Sequence, residues 1–262
     1  MLTQSHRSIK EFSNEFTKDL HSRILNAKMH SKGPLIAAFD ADGTLWDTDM
    51  GEAFFLYQIN NCNLPHMPKD PWQHYHEMKE VNKVAAYFWL AQINAGQKLS
   101  QVRDWAKECV KQASIPVLES QKKLIQFLKD NGFEVYVVTA SVKWAVEPAA
   151  GLVGVDYEHV LGMQTELNGD VVGLTPILPA TYRIGKAEAV LKATGGVAPL
   201  FCSGNTLGDL ELLKSATSLR LAVSTQLSHE KSTIHENNLF HDEQGLLKEA
   251  LANGWLHHAF RP

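Results

Sequence analysis

Asp40, Asp42, Thr139, Ser141, Lys186, Asn205 and Asp209 are the side chains whose types and spacing suit chemistry on an anionic group. Asp40 and Asp42 stand two apart in Asp40-Ala41-Asp42-Gly43-Thr44, at the end of an apolar run. Carboxylates that close are unfavourable unless a proton or cation sits between them. A hard divalent ion such as Mg²⁺, held by oxygens, relieves the repulsion; an Asp-rich turn is the plain alternative. Val138-Thr139-Ala140-Ser141 closes a second run, and a hydroxyl before a helix start suits a phosphate oxygen or a simple N-cap. Lys186, just inside a helix opening at Arg183–Gly185, offers a cation to clustered carboxylates, or only a solvated helix face. Ser203-Gly204-Asn205-Thr206-Leu207-Gly208-Asp209 places oxygen-bearing side chains where a third run gives way to a helix. Ala at 180 and 187 excludes a P-loop.

Such clusters need strand ends to hold them. Runs at 35–40, 135–138, 199–202 and 219–223 read as buried strands. Helical patterns at 117–131, 142–150, 183–194 and 207–215 alternate with them. This predicts an α/β fold: a doubly wound, mostly parallel, Rossmann-like sheet, with its sites along one edge. Residues 51–113 break the alternation with helical patterns at 51–60, 72–95 and 99–113, which suggests an inserted helical cap domain. The expected organisation is 1–50 (N-terminal helix, first strand and catalytic loop), 51–115 (cap) and 116–262 (remaining core). Asn168-Gly169 signals a hairpin. Ile9, Phe12, Phe16, Leu20 and Ile24 form one apolar face over 5–29, suited to covering the sheet or to a homodimer contact. The tail from 225 reads as polar loops plus a helix at 244–252.

With 25 Lys and Arg against 29 Asp and Glu, the 262-residue chain carries a net charge of −4, which argues against a general nucleic-acid binder. No apolar stretch is long enough for a membrane span, and no secretory signal opens the chain. Cys62, Cys109 and Cys202 lie far apart without a Cys-x-x-Cys, as suits a reducing cytoplasm rather than a disulfide framework or a zinc site. The pairs His74/His76 and His257/His258 lack ligand spacing.

Taken in order, FDADGTLWD, VYVVTAS, GKAEAV and SGNTLGDLELL resemble the haloacid dehalogenase superfamily, over about residues 35–225. The helical insert after the first motif is similar to the phosphoserine phosphatase branch. The resemblance implies Asp40 as nucleophile, Asp42 as general acid and then base, and Thr139 bound to a phosphoryl oxygen. It implies Lys186 holding Asp40 and offsetting charge, and Mg²⁺ at Asp40, Asp42 (through its carbonyl), Asn205 and Asp209. It also implies a substrate side formed by Gly43, Trp46, Asp49 and Ala140. Asp42 speaks against dehalogenation, since carbon–halogen cleavage protonates no alcohol. Asn205 departs from the acidic residue usual at that position, and this keeps open a weakly active phosphoryl-ligand-binding protein. A phosphotransferase is a nearer rival.

The implied substrate is a small phosphomonoester, phosphoserine-like or an amino-alcohol phosphate. Asp49 suits a substrate ammonium, and equally an N-cap for the 51–60 helix. Phe54, Phe55, Tyr57, Trp72, Tyr75, Tyr87, Phe88, Trp89 and Trp105 read mainly as cap core, with some available to stack on a cationic head. Lys69, Lys79, Lys83, Arg103 and Lys107 offer charges to a substrate carboxylate, or solvated faces.

Overall fold

Apolar side chains along the extended runs divide alternately between two cores. The computed structural model describes residues 11–65, 67–225 and 234–260, and the side chains of 234–241 are left aside. Its strands are β1 (Ile36–Phe39), β2 (Glu134–Val142), β3 (Val160–Met163), β4 (Thr165–Asn168), β5 (Val171–Pro176), β6 (Phe201–Gly204), β7 (Leu219–Ser224) and β8 (Leu256–Ala259). Its helices are α1 (Asn14–His30), α2 (Met50–Asn61), α3 (Pro71–Val81), α4 (Lys83–Gln92), α5 (Leu99–Ala113), α6 (Glu119–Asp130), α7 (Lys143–Leu152), α8 (Ile184–Ala193), α9 (Leu210–Ser215) and α10 (Ile234–Ala252). Six strands form one parallel sheet in the order β3-β2-β1-β6-β7-β8. The chain thus winds outward from β1 through β2 and β3, then crosses to β6 and winds the other way. Such a reversal leaves a crevice beyond the carboxyl ends of β1 and β6.

Ala37, Phe39, Val135 and Val137 face one core with Leu20 and Ile24 of α1, Leu124 of α6 and Trp144 of α7. Ile36, Ala38, Tyr136 and Val138 face the other, with Val190 of α8, Leu212 of α9 and Leu246 of α10. That period of two makes a three-layer α/β/α fold. The N-terminal helix lays Leu20, Ile24 and Ala27 against the first core, so its apolar face covers the sheet. Ser13 caps it by accepting from the Phe16 N–H at 3.1 Å. Ile9 lies outside the described residues.

Four helices, α2 to α5, fill the insertion between β1 and β2. The helix expected over 72–95 is two, because Asn82 ends α3 and caps α4, accepting from Ala85 N–H at 3.1 Å. Phe54, Leu90 and Val102 of the insertion join the first core. Arg103 of α5 donates twice to Glu147 of α7, at 2.6 and 2.8 Å, and the Glu147 side chain is fully buried. The hairpin β4–β5 clasps the same side through backbone bonds from Leu99 N to Asp170 O, Gly96 N to Val172 O and Val172 N to Gln97 O.

Sequence patterning misses β3 and β8 and starts the last helix ten residues late. Residues 226–233 of the tail lie outside the described residues. Among the described residues, no helix is long and apolar enough to cross a membrane, and the three cysteines are free.

Candidate active site

The aspartate loop, Thr139 and Asn205 sit at or just past the carboxyl ends of central strands, and Lys186 reaches them from the first turn of α8. Asp40 follows β1, and its N–H donates to Ser203 O of neighbouring β6 at 2.9 Å, which fixes the backbone at the crevice. Its Oδ1 accepts from Lys186 Nζ at 2.5 Å and its Oδ2 from Thr44 Oγ1 at 2.9 Å. The same Lys186 Nζ donates to Asp209 Oδ1 at 2.5 Å. One ammonium therefore bridges two buried carboxylates. Burial pulls the Lys186 ammonium down, but Asp209 and Asp40 together outweigh it and hold its pKa above the usual lysine value. Burial, and then the Asp209 charge, push Asp40 above the usual carboxylate range against the pull of Lys186.

Asp42 is held differently. Trp46 Nε1 and Met50 N donate to its Oδ1 at 2.8 and 3.0 Å, and Ser141 Oγ donates to its Oδ2 at 2.6 Å. Burial, followed by the charge of Asp49, raises its pKa, so its neutral form is favoured well above the ordinary carboxylate range. Two carboxyls two residues apart thus lie in distinct environments, one paired to a cation and the other in neutral hydrogen bonds. Thr139 Oγ1 accepts the Ser141 N–H at 3.0 Å, which leaves its own O–H to donate into the cleft.

Three expectations change. Trp46 is fully buried and anchors Asp42 through its indole N–H, so it positions the carboxyl and is not a wall for substrate. Gly43 turns the loop at φ 77° with no room for a side chain: a Cβ there would lie 2.1 Å from Asn205 Nδ2. It faces Asn205, not substrate. Ser141 does not cap α7, whose N-cap is Val142, because its hydroxyl is spent on Asp42.

Asp49 caps α2, accepting from Glu52 N–H at 2.8 Å, and also lines the cleft. Ala140 lines the cleft beside Thr139. The cleft has a volume of about 140 Å³. Tyr75 and Tyr87 of the insertion and Tyr182 of the core wall it above the acidic floor. Lys79 pairs with Glu52 at 2.7 Å and lies 5.2 Å from the Tyr75 ring centre and 5.9 Å from that of Tyr87. Arg103 is committed to Glu147, while Lys69, Lys83 and Lys107 are exposed.

Among the described residues no group of three or more His, Cys, Asp or Glu side chains has ligand geometry, so a cation here must also draw on amide and main-chain oxygens. Asp209, like Asp40, has both carboxylate oxygens engaged by donors. Its Oδ1 takes Lys186, and its Oδ2 accepts from Asn205 N, Thr206 N and Thr206 Oγ1 at 3.1, 3.0 and 3.2 Å. Asn205 Oδ1 has only a 3.3 Å contact from Thr44 Oγ1, whose single proton is nearer Asp40. Asp40, the Asp42 carbonyl, Asn205 Oδ1 and Asp209 offer oxygen donors alone, the type that a hard ion such as Mg²⁺ takes.

Tyr182, Thr44 and Glu243 escape sequence reasoning. Tyr182 has no partner motif, and Thr44 reads as a turn residue. Glu243 falls in the stretch read as polar loop, just before the expected 244–252 helix, yet it is buried behind Asn205. Burial pushes its carboxyl up, against donors from Ser224, Asn205 and Thr225.

Known proteins share the fold and part of the sequence. The phosphorylcholine phosphatase of Pseudomonas aeruginosa is 24% identical over 238 residues, covering 65% of this chain and 68% of that protein. A functionally unknown protein from Anaerococcus prevotii DSM 20548 shares the fold at TM-score 0.67 and 16% identity, over 96% of this chain and 93% of that one. A phosphoserine phosphohydrolase-like protein from Francisella tularensis subsp. tularensis SCHU S4 does so at TM-score 0.50 and 17% identity, over 72% and 87%. Residues 37–214, with the aspartate loop, Thr139, Lys186 and the Asn205–Asp209 turn, match the haloacid dehalogenase-like hydrolase family, and the chain belongs to it.

Proposed function

We propose that the chain is a Mg²⁺-dependent phosphomonoester hydrolase that works through an aspartyl-phosphate on Asp40. The observation carrying this is the split between the two floor carboxyls: Asp40 ion-paired to Lys186, Asp42 buried among neutral donors. The phosphoryl group lies between Asp40 and Thr139, whose O–H orients one of its oxygens. An Asp40 oxygen forms the new P–O bond while the ester oxygen leaves, and Asp42 gives that oxygen its proton. Asp42, now ionised, takes a proton from water, which attacks phosphorus and releases Asp40. Lys186 stays fixed between Asp40 and Asp209 and offsets charge gathered on the phosphoryl oxygens. Mg²⁺ held by Asp40, the Asp42 carbonyl and Asn205 would supply further charge neutralisation there.

The cleft is smaller than the ~300–1,000 Å³ of drug-sized pockets, which favours a small metabolite. Tyrosine faces beside Asp49 suit a leaving group bearing an ammonium, as in amino-alcohol or phosphoserine-like esters. The rings of Tyr75 and Tyr87 already lie near one ammonium, that of Lys79. Helices α2 to α5 act as a cap that reads this group. Hydrolysis of p-nitrophenyl phosphate and of a panel of phosphorylated metabolites, with and without Mg²⁺, tests the reading. Mg²⁺-stimulated turnover that Asp40→Asn abolishes is expected. Absence of any such turnover sinks it and leaves the phosphoryl-ligand-binding alternative.

A further inference from the structure

An asparagine amide is two-ended, and which end faces the floor decides whether Asn205 offers an oxygen or an N–H there. The chain resolves this with a residue outside the family match. Glu243 comes from α10 and is 4% exposed. Ser224 Oγ donates to its Oε2 at 2.8 Å, and Thr225 Oγ1 and Asn205 Nδ2 each lie 3.3 Å from its Oε1. All three partners bring donors to an accepting carboxylate. The Asn205 amide must therefore turn its nitrogen to Glu243 and its oxygen to Thr44, the residue that also donates to Asp40. The absent side chain of Gly43 leaves room for Nδ2 on the way.

We propose that Glu243 is a positioning residue: it holds the Asn205 amide with Oδ1 toward the floor and stands a negative charge behind the one floor position where Asn205 supplies none. Oxygen donation then comes from Asn205, and charge from one side chain further back. The cation part of this rests on the Mg²⁺ reading above, whereas the hold on the amide does not.

A donor–acceptor exchange tests both parts separately. Asn205→Asp sets two carboxylates against each other, and in EDTA its unfolding equilibrium constant is expected to rise about tenfold or more, the size of one lost buried hydrogen bond. Adding Glu243→Gln returns a donor to the contact and should recover most of that loss. Repulsion from Asp40 alone would leave the double variant unrescued, and that result, or a single variant as stable as wild type, overturns the proposal. In calorimetric Mg²⁺ titration, Glu243→Gln keeps an acceptor but loses the charge, and the Kd should rise about tenfold. An unchanged Kd overturns the charge role. If Glu243→Gln does not fold, Ser224→Ala frees the carboxylate to turn and should weaken Mg²⁺ binding in the same direction. Wild type that binds no Mg²⁺, with the exchange still rescuing stability, refutes the metal reading and leaves the hold on Asn205 standing.

Discussion

Removing the bridging ammonium is the sharpest probe of the floor. Lys186→Met keeps the length of the side chain and deletes its charge. The side chains of Lys186, Asp40 and Asp209 are only 5%, 7% and 1% exposed, so water cannot replace the lost cation. Two charge-assisted hydrogen bonds at roughly 1.5–3 kcal/mol each disappear. Breaking a buried ion pair from one side costs about 3–5 kcal/mol. We therefore expect a loss of about 4 kcal/mol near pH 8 in EDTA, read by urea unfolding. The pH dependence has a definite sign. Burial and Asp209 hold the folded-state Asp40 carboxyl above its unfolded value, and Lys186 is the group pulling it down. Without Lys186 it rises further, so the folded variant holds its proton over a wider range than the unfolded chain. Stability from that proton is present below the unfolded pKa and is lost as pH rises through the folded one. The deficit must be smaller near pH 5 than near pH 8. A deficit under about 1 kcal/mol at pH 8, the range of an exposed pair, refutes the reasoning. So does a deficit larger at pH 5.

Three further outcomes follow from the geometry. Arg103→Ala removes both close hydrogen bonds to the fully buried Glu147 and leaves it only Lys143, 3.4 Å away, so it should cost about 1.5–3 kcal/mol by urea unfolding, with Arg103→Lys recovering only part because it cannot make both bonds; a loss within error contradicts the anchor. Gly43→Ala forces a side chain at φ 77° against Asn205 and should lower stability by more than about 1 kcal/mol and weaken Mg²⁺ binding, both readable in one melting series with and without the ion. Ser141→Ala removes a bond that lowers the Asp42 pKa. If Asp42 is the acid, the alkaline limb of kcat/KM moves to higher pH, and a limb moving lower contradicts the assignment.

The floor was legible because each of its parts is local: an aspartate pair, a hydroxyl or an amide directly after a short apolar run, each placed by its own strand. The cleft walls were legible only in part, since Tyr75 and Tyr87 stood among nine insertion aromatics with nothing to single them out. Tyr182 belongs to no motif, and it reaches the cleft through the turn before α8, where Arg183 adopts φ 51°. Val160–Met163 is a four-residue strand containing a glycine, and Leu256–Ala259 carries two histidines; both are strands because β2 and β7 offer an open edge. Position 82 looked like the middle of one helix because apolar periodicity continues across it, while the capping bond of Asn82 depends on a single side chain. Glu243 was hidden by distance along the chain, since only the packing of α10 carries it to Asn205.

Floor and walls also have separate genetic addresses. Asp40, Thr139 and Asn205 are carried by the sheet edge and Lys186 by α8, whereas of the tyrosine walls Tyr75 and Tyr87 are carried by α3 and α4 and Tyr182 alone by the core. Helix α3 buries little besides Tyr75, while α5 is locked to α7 by Arg103 and Glu147 and its approach loop is clasped by the hairpin. Under the proposed function, drift in the face of α3 changes the ester preferred while bond breaking stays intact. Lineages sharing this scaffold should diverge first in diet and only later in chemistry.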